Sequence, residues 1–237
     1  MTNDFMNNNV SIILSTYNES ESIKYTIDEL IKNIKDVEII VVDDNSPDGT
    51  FEILKNINYS KLKIYNRKKN KGLASAFLLG LINANGNIIG WLDSNMGVLA
   101  QKFPQMISNL DSSDIVLLSR YVDGGSDQRN IVRVIASQMI NYVARFLLRS
   151  KIKDLSSGIF VMKREVLIDV VPIATGHGEF FVEFLYKAEK RGNKISEISY
   201  DHPLDIEGNS KSFPSLSKFL LFGFFYILRL VQIIFRR

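Results

Sequence analysis

Five short apolar runs, mostly β-branched, recur along the first half of this chain: Val10 to Leu14, Glu38 to Val42, Leu62 to Tyr65, Ile88 to Leu92 and Ile115 to Leu118. Longer stretches with helical spacing separate them. Strands that are apolar on both faces and alternate with helices leave few architectures, and the pattern predicts an α/β fold built on a mostly parallel sheet with helices on both faces. After the first run, Asn18 with Glu21 has the pattern of a capping box, and Ile23, Ile27, Leu30, Ile31 and Ile34 mark one helix face. Leu73, Ala76, Phe77, Gly80, Leu81 and Ala84 mark a second, and Phe103, Met106, Ile107 and Leu110 a third. Beyond Arg129 the spacing predicts a long amphipathic helix carrying Val132, Ile135, Ala136, Met139, Ile140, Val143 and Leu147, then a loop from Lys153 to Gly158. A strand around Phe160 to Met162, a helix from Glu179 to Lys190 and a strand from Lys194 to Ile198 follow.

Composition narrows the chemistry. With 237 residues, 46% of them hydrophobic, the chain can bury one large core. It has no cysteine, which excludes a disulfide scaffold and thiolate chemistry, and its two histidines, His177 and His202, argue against a multi-histidine metal site. Carboxylates, amides and basic groups remain to do the work. No Walker pattern occurs, and the segment Gly176 to Phe181 lacks the third glycine and the preceding strand of a dinucleotide fingerprint.

Polar residues instead cluster directly after strands, where an open α/β sheet forms its ligand crevice. Ser15 to Glu19 follow the first strand, Asp43 to Thr50 the second, and Asp93-Ser94-Asn95 the fourth. A carboxylate can accept hydrogen bonds from a base or a ribose diol and a tyrosine face can stack on a base, so the first two clusters suit a nucleoside. The third suits a hard cation on a diphosphate.

These clusters resemble family 2, the GT-A-fold inverting glycosyltransferases, and within it the dolichol-phosphate mannosyltransferase group. The resemblance runs from about Val10 to Lys211 and rests on Tyr17-Asn18-Glu19, Val41 to Thr50, Lys71 to Ala76, Ser119 to Gly125, Asp154 to Gly158 and Gly208 to Lys211. It implies a GT-A-like sheet and places Tyr17, Glu19, Val42, Asp44 and Ser94 at the donor nucleotide. It implies a divalent cation, Mg2+ or Mn2+, at Asp93 and Asn95. Arg120 and Arg133 would stand beside the phosphates of donor or lipid acceptor, with Lys211 on a closing loop. The implied activity is transfer of a sugar, mannose from GDP-mannose, to a polyprenyl or dolichyl phosphate with inversion. Departures fall at Ser15, where the family usually has Pro, at Asn95 for a second Asp, at Gly97 for Gln or Ser, and at Asp205 for an Arg. Loss of an anionic ligand at Asn95 predicts weaker metal binding. The same departures leave two alternatives open, a catalytically weak paralogue serving as a binding or regulatory subunit and an enzyme using another donor such as UDP-glucose.

The chain holds 29 Lys and Arg against 26 Asp and Glu, and Lys218, Arg229, Arg236 and Arg237 fall in a C-terminal segment that has no acid. The remainder is nearly neutral, which argues against nucleic acid as a partner. From Phe219 to Phe235 the segment is apolar except for Arg229 and Gln232. This predicts two parts: a catalytic domain over 1–211, and a membrane-associating tail helix over 212–237 that lies in the interface or docks on the body or on an anchoring subunit. Met1 to Asn9 is polar with no apolar core, so the expected location is the cytoplasmic face of a membrane.

Overall fold

The structure, a computed structural model, describes residues 9–203 and 216–235. Nine strands and eight α-helices alternate in it: β1 (Val10–Thr16), α1 (Ile23–Asn33), β2 (Glu38–Asp43), α2 (Thr50–Lys55), β3 (Leu62–Asn66), α3 (Leu73–Asn83), β4 (Ile88–Trp91), a 3-10 turn (Gly97–Lys102), α4 (Phe103–Asn109), β5 (Ile115–Ser119), β6 (Ser126–Asp127), α5 (Ile131–Leu148), β7 (Phe160–Lys163), α6 (Val166–Asp169), α7 (Glu179–Lys190), β8 (Ile195–Ser199), β9 (Asp201–His202) and α8 (Leu216–Phe235). Seven strands form one sheet in the order β3-β2-β1-β4-β7-β5-β8. All its pairings are parallel except those of β7, which runs antiparallel between β4 and β5. The α/β sheet expected from the sequence is therefore observed, with the neighbour relations of β7 added. The carboxyl ends of β1, β2, β4 and β5 share one edge, and the loop entering β7 arrives there too, since Phe160 pairs with both Trp91 and Leu117.

The period-2 alternation of strand side chains sorts the core into layers. Ile12 and Leu14 of β1 join Ile39, Val41, Val116 and Leu118 beneath α1 and α4. Ile13 points the other way, with Ile115 and Leu117, toward Phe77 of α3 and Phe180, Phe181 and Phe184 of α7. Leu230 and Ile233 of α8 belong to this second layer. The inner side of α8 is thus part of the body's core, and Arg229 pairs with Glu183 of α7 at 3.1 Å.

One local expectation is corrected. Ser22, rather than Asn18, is the N-cap of α1, and no side-chain cap bond forms. Asn18 adopts a left-handed backbone (φ 59°) and its N–H donates to the Ser46 hydroxyl at 3.0 Å. Cross-loop bonding has won over local capping there.

Candidate active site

The β1 and β2 ends are laced together. Asp43, fully buried, accepts from the Thr16 hydroxyl at 3.0 Å and the Ser46 N–H at 3.0 Å. Glu19 N–H donates to the Thr50 hydroxyl at 2.9 Å, and Ser20 N–H to Asp48 at 3.0 Å. Burial pushes the Asp48 pKa up, but the Thr50 hydroxyl and the Ser20 and Thr50 N–H groups outweigh it and hold it down at about 2. The Asp43 to Thr50 motif therefore first builds its own turn.

Within this frame the expected donor residues take different stations. Tyr17 is 51% exposed, with the Lys71 ammonium 5.6 Å from its ring centroid. Asp44 is nearly buried and already engaged: Arg67 Nε donates to its Oδ1 at 2.8 Å, Arg67 Nη2 reaches the same oxygen, and Gly72 N–H donates to Oδ2 at 2.7 Å. Arg67, which the sequence reading did not single out, fixes this carboxylate. Glu19 is buried, and its carboxylate accepts from the Ser22 hydroxyl at 2.7 Å at the head of α1. Val42 is fully buried, its side chain packed with Ala76 and Ala84 in the sheet-to-α3 layer. Ser94 is buried, its hydroxyl donating to the Ser15 carbonyl at 3.1 Å. The Oγ of Ser15 itself is buried without a hydrogen-bond partner among the described residues. A buried unpaired hydroxyl costs about 1–3 kcal/mol, so Ser15→Ala should raise stability by about 1 kcal/mol in urea denaturation.

Asp93, just beyond β4, is the centre of the arrangement. The hydrogen bond to its carboxylate comes from Trp91 Nε1 at a long 3.4 Å, and burial pushes its pKa above the usual carboxylate range, against the opposing pull of that bond, His177 and Arg120. His177, before α7, is in turn held below the ordinary imidazole range by burial, although Glu179 and Asp93 pull it up. A carboxyl oxygen and an imidazole nitrogen are both donors that suit a divalent cation. Asn95 is exposed two residues on. Among the described residues no three His, Cys, Asp or Glu side chains cluster as a metal site. A cation here fits if a diphosphate supplies most of its oxygens, with Asp93, His177 and the Asn95 amide as protein donors. The Gly97 departure has a steric cause, because a side-chain carbon there would lie 2.7 Å from the Thr26 Cα and 2.8 Å from its hydroxyl.

Arg120 follows β5, and its side chain is engaged within the protein. Its guanidinium is buried, donating to Asp154 Oδ2 at 2.8 Å and Oδ1 at 2.7 Å, and to Ser156 Oγ at 2.9 Å, with Asp127 at 3.6 Å. Arg129 forks onto Asp127 at 2.8 and 2.6 Å. Two cations and two anions make a closed hub whose field reaches Asp93. Arg133 sits half-buried in the first turn of α5, after the Asn130 cap. Lys211 and Asp205 lie outside the described residues.

Fold and site define an open α/β protein whose polar strand-end loops gather around Asp93 at the carboxyl edge of the parallel strands. Residues 11–171 match the family described as Glycosyl transferase family 2, and the chain belongs to that family. It is 32% identical over 212 residues to a dolichol-phosphate mannosyltransferase of Pyrococcus furiosus, covering 85% of this chain and 58% of that protein. The chain thus spans little more than half of that relative. A polyprenol monophosphomannose synthase of Mycolicibacterium smegmatis is 27% identical over 198 residues, 79% of this chain and 74% of that protein. In fold, the chain is similar to glucosyl-3-phosphoglycerate synthase from Mycobacterium tuberculosis, crystallised with Mn2+, uridine diphosphate and phosphoglyceric acid. The TM-score is 0.74 at 18% identity, over 96% of this chain and 79% of that one.

Proposed function

We propose that this protein transfers mannose from GDP-mannose to a polyprenyl phosphate at a membrane surface, with inversion at the anomeric carbon. The observation that carries the reading is Asp93: a carboxyl group just beyond β4, where the carboxyl ends of the parallel strands meet, with Trp91 Nε1 donating to it. The names of the two relatives support the choice of sugar and acceptor.

The chemistry asks little of a general base. A polyprenyl monophosphate is anionic at neutral pH, so one of its oxygens can form the new bond to the anomeric carbon while the bond to the donor diphosphate breaks and its electron pair leaves with the nucleotide. A divalent cation at Asp93, Asn95 and His177 would supply charge to stabilise the departing diphosphate. The exposed ring of Tyr17 offers a stacking face for the base once Lys71 moves or joins the stack. Arg133 and Lys211 are proposed to meet the lipid phosphate, and the Arg120 hub to fix the loop beside Asp93.

The membrane would be met by two helices. α5, assigned by its spacing to an amphipathic helix, is long and apolar enough to cross a membrane by length and composition, yet it is mostly unburied. It packs on α8, and Ile135, Met139, Tyr142 and Phe146 of α5 are exposed together with Phe224, Ile227 and Phe235 of α8. Such a face fits peripheral docking, with the body on the cytoplasmic side. Phe146→Asp should therefore lower vesicle binding at least about tenfold in flotation, since it replaces roughly 1.5–3 kcal/mol of apolar burial with a charge.

Calorimetry with GDP, GDP-mannose, UDP and UDP-glucose, with and without Mn2+, tests the donor assignment. The expected result is binding of GDP-mannose strengthened by Mn2+. Binding of none of the four would overturn the enzyme reading in favour of the catalytically weak scaffold, and preference for UDP-glucose would replace the donor.

A further inference from the structure

α8 does more than cover the core: its inner side grips the loop that carries His177. Arg229 Nη1 donates to Glu183 Oε2 at 3.1 Å, and its Nη2 donates to the Thr175 carbonyl at 3.3 Å. The Arg229 side chain is only 12% exposed. Two glycines let the helix close. A side-chain carbon at Gly176, whose φ is +109°, would lie 2.6 Å from Glu179 Oε1 and 3.2 Å from Arg229 Nη2, and one at Gly178 would lie 2.4 Å from the Tyr226 hydroxyl. Between them, the His177 N–H donates to Glu179 Oε2 at 3.0 Å. The loop 175–178 is thus tied to both α7 and α8, and the imidazole it carries is near enough to Asp93 to act on it electrostatically.

We propose that Arg229 is a positioning residue, which acts through Thr175 and Glu183 to fix the loop that carries His177. The guanidinium fork suits this role because it bridges a carboxylate and a carbonyl on two different elements, which a single ammonium does less well. Its cation-binding consequence rests on the reading of Asp93 as a cation carboxylate. The placement of His177 does not. Glu183 keeps a second cation, Lys187 at 2.6 Å, so loss of Arg229 does not leave that carboxylate unpaired.

The test uses the full chain and Mn2+ alone, with free Mn2+ read by electron paramagnetic resonance. Arg229→Leu should weaken Mn2+ binding about tenfold, the lower end of the effect of groups that orient a metal ligand. Arg229→Lys should recover part of it, and Arg229→Leu combined with His177→Ala should be no weaker than His177→Ala alone. A second readout needs no metal. With only two histidines in the chain, the His177 imidazole proton signals can be assigned by their loss in His177→Ala, and Arg229→Leu should shift them while leaving those of His202 in place. If Arg229→Leu does not fold, Glu183→Gln, which weakens one arm of the fork at constant shape, should move the same signals in the same sense. Unmoved His177 signals in a folded variant, or additive losses of Mn2+ affinity in the double variant, would overturn the proposal. Shifted signals in a protein that binds no Mn2+ would support it while overturning the cation reading of Asp93.

Discussion

Asp93→Ala should remove transferase activity by about a thousandfold and at the same time make the metal-free protein more stable. The first effect follows from losing the anionic anchor for charge stabilisation of the leaving diphosphate, a contribution of about 10²–10³ where single preorganised groups have been removed. The second follows from the site itself, because a partly buried carboxylate with one long hydrogen bond is a cost to the fold that function retains. A gain of about 1 kcal/mol corresponds to a melting temperature about 2–4 °C higher in a chain of this size. The pH dependence has a definite sign. Because the native pKa of Asp93 is raised, the native state binds its proton more tightly than the unfolded chain does. Stability of the metal-free wild type should therefore fall as pH rises from near 4 through the raised value. Asp93→Asn should flatten that part of the profile, and thermal melts across pH would show it.

The largest loss of stability should come from Asp154→Ala. It would leave Arg120, at 5% exposure, with the more distant Asp127 as its remaining carboxylate partner among the described residues. Breaking one partner of a buried pair costs about 3–5 kcal/mol, which at about 2–4 °C per kcal/mol is a drop on the order of 10 °C. Replacing both partners, Arg120→Met with Asp154→Leu, should recover most of that loss, since an apolar pair of similar volume needs no compensating charge. This pattern separates a structural hub from a phosphate ligand. If Arg120 directly held donor phosphates, its replacement would abolish nucleotide affinity and leave the melt unchanged.

These residues also show how far the sequence can be read. The parallel sheet was legible because β-branched runs such as Glu38 to Val42 are buried on both faces and the helices between them carry 3.6-residue stripes. The place of β7 was not, since a four-residue strand pairs antiparallel with β4 and β5 through contacts more than 40 residues away, and no local pattern encodes that register. The strand-end clusters do gather at one edge of the sheet, yet the division of labour within them was hidden. Asp43 and Asp44 are identical in sequence terms, but one is spent on the Thr16–Ser46 turn and the other on Arg67, 23 residues downstream. Val42 fell on the core side because strand residues alternate. His177 carried a faint signal, a histidine between two glycines just ahead of a helix, which becomes meaningful only when the fold sets it within electrostatic reach of Asp93. α5 was recognised as amphipathic, but amphipathicity alone does not say what covers the apolar side. The tail read as an appendage because its composition differs from the body, whereas burial of Leu230 and Ile233 depends on where α7 and α5 stand.

The central claim is that a polyprenyl phosphate receives the sugar, and one measurement meets it directly: full-length protein on anionic vesicles containing a polyprenyl monophosphate, supplied with GDP-[14C]mannose and Mn2+, with the lipid fraction analysed for label and anomeric configuration. The account predicts label in a mannosyl phosphoryl lipid of inverted configuration, lost on chelation of the cation and in Asp93→Ala. Free mannose as the only product, with no label in lipid, would contradict it.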